Sequence, residues 1–160
     1  MLPLREEPPD EVADDTLVGW PFLRDRLVVV AGPDMARPAA GTVPAVVRGD
    51  DPARDWTLDT ADGMRAIAID PVLGLSSLVM IRDAVRSGAG AARLPLSLVG
   101  RDIARGRLLC WGDLAGSDIA LWALYPTRRL LNAGVSAFLD FLRQSFPEGA
   151  PEELAAYLDG

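Results

Sequence analysis

Histidine and lysine are absent from these 160 residues, and cysteine occurs once, at Cys110. Without histidine there can be no Ser-His-Asp or Cys-His nucleophilic catalysis and no His-ligated metal site. A single cysteine excludes an internal disulfide framework and fits a reducing, cytoplasmic setting. Positive charge is scarce as well: 16 cationic residues, all arginine, face 23 acidic ones, for a net charge of −7. Such a chain is repelled by phosphate backbones, so no nucleic-acid binding through this polypeptide itself is expected. Aromatics make up only 6%, with no stacking series and no zinc-finger spacing. No uninterrupted apolar run approaches membrane-spanning length. The start, Met1 to Asp10, lacks the basic and apolar regions of a signal peptide. No period of 20–50 residues repeats, which sets aside solenoids and propellers. Asp10, Asp14 and Asp15 have neither a turn glycine nor a spaced ligand set, so no metal is expected there. No two carboxylates are grouped beside a proton relay, so a carboxylate-dependent enzyme ranks last among the functional readings, and no cofactor is expected.

What is present is apolar residues, 49% of the chain, enough to bury a core in one domain or in two small lobes. Leu27-Val28-Val29-Val30-Ala31 is an unbroken apolar run bounded by Gly32-Pro33, the pattern of a strand covered on both faces. Residues 32–44 hold several Pro, Gly and Ala residues and read as a loop before a short strand at Ala45-Val46-Val47. Trp56-Thr57-Leu58 and Ala66-Ile67-Ala68-Ile69 flank Ala61-Asp62-Gly63, which predicts a β-hairpin because glycine tolerates the positive φ of the turn. Arg107 to Trp111 and Asp118 to Tyr125 read as two further strands. Leu131, Val135, Phe138, Leu139, Leu142 and Phe146 recur at helical spacing, with Asn132 as N-cap and Pro147 as stop. The acidic remainder predicts at most a frayed helical turn. Strands alternating with helices indicate an α/β fold, a mixed sheet with flanking helices.

The segment from Asp70 to Pro95 carries the most functional information. It reads as a strand through Leu75, a helix opening on Ser76 and Ser77, a glycine stop at Gly88, and a second strand ending at Pro95, where another helix begins and runs to Arg105. A helix mouth presents free N–H groups and hydroxyls where a small polar or anionic ligand can sit. That arrangement points to ligand sensing rather than catalysis.

In their order along the chain, these pieces resemble the ligand-sensing C-terminal domain of LysR-type transcriptional regulators, which is built like type 2 periplasmic binding proteins. Asp25 through Pro33 resembles the crossing strand into the second lobe, and Trp56-Thr57-Leu58 with Asp62-Gly63 resembles that lobe's hairpin. Ser87 through Pro95, followed by Arg105-Gly106-Arg107-Leu108, resembles its helix–strand–helix. Leu124-Tyr125-Pro126-Thr127-Arg128-Arg129 and Phe138 through Leu142 resemble the return strand and closing helix of the first lobe. The departures are equally specific. Nothing corresponds to the winged helix-turn-helix, the linker helix or the first half of the first lobe, and the family's short helix between Pro33 and Val46 is replaced by a loop. The resemblance implies a truncated module with a lead-in and first-lobe remnant at 1–24, the second lobe at 25–117, the first lobe's return strand and closing helix at 118–147, and a tail at 148–160.

The resemblance also implies a small-molecule effector, a carboxylate among the candidates, held between the lobes near Ser76. Ser76 and Ser77 can cap their helix and bind such a ligand at once. Arg48, Gly49 and Asp50 follow a short strand and either line the same crevice or form a solvated loop. Pro95 ends a strand beside a helix start, which is a structural terminus or a cleft wall. The candidate ligand-binding set is therefore Arg48, Gly49, Leu75, Ser76, Ser77 and Pro95. Cys110 reads as a buried, inert thiol without a basic neighbour. The pairs Arg54/Asp55 and Arg101/Asp102 read as surface charges. Removal of first-lobe elements would expose the edge near Ile119 to Leu124 and the apolar face of the last helix, so a homodimer or higher oligomer is expected. A stand-alone solute-binding protein of the same architecture is the alternative reading.

Overall fold

A computed structural model describes residues 17–49, 51–126 and 132–158. The expectations that fell on residues 1–16, Asp50, Thr127 to Arg129 and Leu131 lie outside the described residues. The strands are β1 (Leu17–Ala31), β2 (Thr42–Arg48), β3 (Asp55–Thr60), β4 (Gly63–Leu75), β5 (Ala92–Pro95) and β6 (Leu109–Pro126). The helices are α1 (Leu78–Arg86), α2 (Leu96–Ala104), α3 (Ala133–Ser145) and α4 (Pro151–Leu158). The strands form one mixed sheet in the order β2-β4-β3-β6-β1-β5. β2 and β4 run parallel, while the other laddered pairs are antiparallel. A parallel bridge between Ala45 and Ala91 ties β2, at one end of that order, to the chain leading into β5 at the other. The sheet therefore curls back toward itself.

That curl explains the unbroken apolar run. Val29 and Ala31 point into a core shared with Val43, Ala45, Val47, Trp56, Leu58, Ile67, Ile69 and Trp111. Val28 and Val30 point to the opposite face, where Ile81 and Val85 of α1, Val99 of α2, Leu94 and Leu108 cover them. Period-two alternation with both faces buried leaves no polar position in the strand. A third core is separate from these two. Leu139, Leu142 and Phe146 lay α3 on Leu23 of β1 and Ala123 of β6.

Most local signals act as their chemistry requires. β3 and β4 form the hairpin across Ala61-Asp62, with Gly63 at φ 102°. Asn132 caps α3 by accepting from Val135 N at 2.9 Å. Gly88, at φ 85°, follows the C-cap of α1, and Ala89 N donates to Ala84 O across it. No helix occupies residues 34–41, as expected; Trp111 Nε1 donates to Met35 O at 3.2 Å and Arg37 Nη1 to Trp111 O at 3.1 Å, which holds that loop.

Three expectations are corrected. The two strands expected at 107–111 and 118–125 are one, β6, which pairs with β1 along nearly its whole length. The intervening glycines and aspartate read as a connection, but the extra residues are absorbed in a bulge opposite Leu27. There Ser117 Oγ accepts from Leu27 N at 3.1 Å and donates to Leu27 O at 3.3 Å, replacing the missing ladder partner. The tail is not merely frayed, since α4 packs its Ala155 side against α2. Its start is fixed by Glu153, whose carboxylate accepts from Glu148 N and Ala150 N, both at 3.1 Å. Asp102 is buried rather than a surface charge, with Arg107 Nε at 2.7 Å and Arg82 and Arg86 each at 4.0 Å.

Candidate functional site

Parallel pairing gathers the carboxyl ends of strands, and β2 and β4 end together, with Arg48 opposite Leu75. Gly49 N donates to Leu75 O at 2.9 Å, which joins the turn after β2 to the strand preceding α1. The approach is close enough that a Cβ on Gly74 would collide with the Gly49 carbonyl. β5, running the same way as β2, ends at the same edge with Pro95. In open α/β sheets the crevice beyond such strand ends is where ligands bind.

Here the crevice is a cavity of about 310 Å³. Leu27 of β1 and Ile119 of β6 form one wall, and Leu78 and Ile81 of α1 form another. Val46, Val47 and Pro95 complete the apolar lining, and among the described residues the charged lining groups are Arg48 and Arg93. Arg93 Nη2 is engaged by Asp51 Oδ2. The other oxygen of Asp51 accepts from Ala53 N at 3.0 Å, which fixes that carboxylate. Arg48 is exposed at the rim and makes no ion pair among the described residues.

Of the six candidate residues, Arg48 and Pro95 line this cavity. Gly49 and Leu75 meet beside it through their backbone bond. Ser77 lies half-buried immediately before the lining residue Leu78, while Ser76 is exposed. Ser77 has the extended backbone of an N-cap, and Ile81 N donates to its carbonyl at 3.0 Å, but its side chain makes no capping hydrogen bond. The hydroxyl expected to cap α1 therefore does not do so. Arg93, Leu27, Leu78, Ile81 and Ile119 were not among the candidates. They come from four elements and carry no shared motif. Arg93 alone left a trace, as the cation inside the strand that ends at Pro95.

The corner at Pro95 has support from a distant residue. Pro95 is the N-cap of α2 and has no side chain able to accept a bond. Asp25 of β1, buried at 6% exposure, supplies the acceptor instead. Ser97 Oγ donates to Asp25 Oδ2 at 2.6 Å, and Ser97 N to Asp25 Oδ1 at 3.3 Å. A carboxylate at a helix N-terminus answers both the free N–H groups and the helix dipole.

Two other concavities lack this convergence. A groove of about 590 Å³ runs along α3 between Phe138, Val135 and Leu139 and the β6 residues Trp122 and Leu124, and it is apolar. A wide depression near Asp59, Asp62 and Asp113 includes Cys110. Cys110 is exposed, not buried as expected, and lies beside the register shift at which β6 passes from Gly112 opposite Val29 to Cys110 opposite Val30. Desolvation raises its thiol pKa above the ordinary range; a backbone bond from Gly112 opposes this, Asp113 adds to it, and Arg26 lowers it again. Among the described residues, no group of three or more Cys, Asp or Glu is placed to hold a metal ion. No described helix is long and apolar enough to cross a membrane.

Comparison with known proteins bears on the family and the fold. The family model for the LysR substrate binding domain matches residues 3–147. Among curated proteins the chain is similar to the HTH-type transcriptional regulator PtxR of Pseudomonas aeruginosa, 32% identical over 93 residues. That match takes in 56% of this chain but 29% of the relative, so the chain spans less than a third of that protein's length. Among solved structures it is similar to the regulatory domain of CrgA, a LysR-type transcriptional regulator from Neisseria meningitidis. The TM-score is 0.66 and the identity 24%, over 84% of this chain and 71% of that one. The regulatory domain of AphB in Vibrio vulnificus is similar with a TM-score of 0.63 and 18% identity, over 82% of this chain and 71% of that one. The two structural likenesses concern the fold.

Proposed function

The chain belongs to the LysR substrate-binding domain family, and from that membership we propose that it senses a small molecule in the cavity where β2, β4 and β5 end. The observation carrying this reading is the convergence of those strand ends on one cleft of about 310 Å³ with an apolar lining and two arginines. That size lies at the lower end of ligand pockets, about 300–1,000 Å³. The role is regulatory and not catalytic, in a cytoplasmic regulator of transcription.

Leu27 and Ile119 give binding a route to conformation. Both line the cavity, and both lie on the two long strands that connect the sheet body to the third core under α3. The bulge at Leu27 and Ser117 interrupts the β1–β6 ladder at this point. A ligand that contacts Leu27 and Ile119 better at one angle between the two bodies shifts the population toward that angle. Assembly with a second copy of the chain is supported by the exposed apolar side chains Leu124, Phe138 and Phe141.

The test is a thermal-shift screen of metabolite carboxylates, amides and sugars on the wild-type chain and on Leu78→Trp, which fills the cavity. Compounds that raise the wild-type melting temperature should lose their effect in the variant. Stabilisation that survives Leu78→Trp for every active compound, or a screen without actives, overturns the reading.

A further inference from the structure

Resting on the sensor reading of this cavity, we infer that it selects a ligand with a single carboxylate on an apolar body, and that Arg48 is the residue that selects it. Among the described residues the lining contains two guanidinium groups and no carboxylate. Asp51 answers one of them, since its carboxylate engages Arg93 and is itself held by Ala53 N. Arg48 is left without an ion-pair partner among the described residues, at the mouth of a space otherwise lined by Leu, Ile, Val and Pro. One anionic group therefore balances the unanswered cation, and a second would have to displace Asp51. A planar guanidinium binds a carboxylate through two parallel N–H bonds, and the apolar lining favours an anion carried on an apolar body over a fully hydrated one such as phosphate. At about 30 Å³ for each water-sized group, the space admits roughly ten non-hydrogen atoms.

Hexanoate, hexanamide, adipate and inorganic phosphate separate the possibilities when titrated into protein labelled at the isoleucine methyls, where Ile81 and Ile119 report on the cavity. Hexanoate should shift both methyls and bind about threefold or more tightly than hexanamide, the margin that an ion pair at an exposed rim supplies. Adipate should bind no more tightly than hexanoate, and phosphate should leave the methyls unmoved. Arg48→Gln should abolish the preference for hexanoate over hexanamide, and Arg48→Lys should restore part of it. Asp51→Asn, which frees Arg93, should raise adipate relative to hexanoate. Equal binding of hexanoate and hexanamide by the wild type, or a preference that survives Arg48→Gln, overturns the inference while leaving the sensor reading intact. If phosphate shifts the methyls as hexanoate does, the carboxylate class is overturned. Methyls unmoved by hexanoate up to its solubility limit also overturn it. The sensor reading then falls only if the Leu78→Trp screen fails as well.

Discussion

Removing the Asp25 carboxylate tests how the floor of the candidate site is held. Asp25→Ala deletes the acceptor for Ser97 Oγ at 2.6 Å, Ser97 N at 3.3 Å and Arg26 N at 2.8 Å. The Arg26 contact is between neighbours in sequence and adds little to tertiary stability. The two Ser97 bonds join residues 72 apart and lie in a buried setting. A hydrogen bond to a charged group contributes about 1.5–3 kcal/mol, and the loss of a cap about 1 kcal/mol. The weak 3.3 Å geometry and relief of the buried charge reduce the sum, so the expected loss is about 2–3 kcal/mol. Urea unfolding followed by tryptophan fluorescence measures it. A cycle with Ser97→Ala isolates the coupling, expected at about 1–2 kcal/mol. A loss below about 0.5 kcal/mol, or additive single variants, would refute the cap assigned to Asp25.

Gly74→Ala places a methyl group against the Gly49 carbonyl, so β2 and β4 must separate at the rim of the cavity. A loss of about 1–3 kcal/mol in urea unfolding is expected, with weaker ligand response; unchanged stability would contradict the close approach. Phe138→Glu with Phe141→Glu should reduce self-association in sedimentation velocity, since both side chains are more than half exposed on α3. An unchanged distribution would remove that face from the assembly. For Cys110, the raised thiol pKa leaves less thiolate at pH 8 than a free thiol has, and the thiolate fraction grows as pH rises. Its reaction with an aromatic disulfide reagent should be slower than that of glutathione at pH 8 and should gain with pH beyond the point where glutathione levels off. A faster reaction at pH 8 would contradict the desolvation argument.

Much of the fold was legible because its signals were local. The run Leu27 to Ala31 has no polar position, Asp62-Gly63 marks a hairpin, and Asn132 stands three residues before the N–H it accepts. Several of the misreadings share a physical origin, which is partners far away in sequence. Asp25 caps a helix that begins at Leu96, and the buried Asp102 is approached by Arg82 and Arg86 of α1 as well as by the nearby Arg107. The bulge at Ser117 keeps β6 continuous through glycines that would turn an isolated chain, and the same ladder exposes Cys110. Of the site, strand ends such as Arg48, Leu75 and Pro95 were legible because turns and prolines mark them. Arg93 and Ile119 were not, since an arginine within one strand and an isoleucine within another acquire meaning only when the sheet brings them together.

The most direct measurement is the position of a bound effector in a crystal of the complex. The account predicts ligand density between Arg48 and Pro95, in contact with Leu78 and Ile119, with a changed angle at the bulge between the sheet body and the part of β1 and β6 that lies under α3. Density seated instead along α3, against Phe138 and Leu124, with the strand-end cavity collapsed or filled by protein side chains, would contradict it.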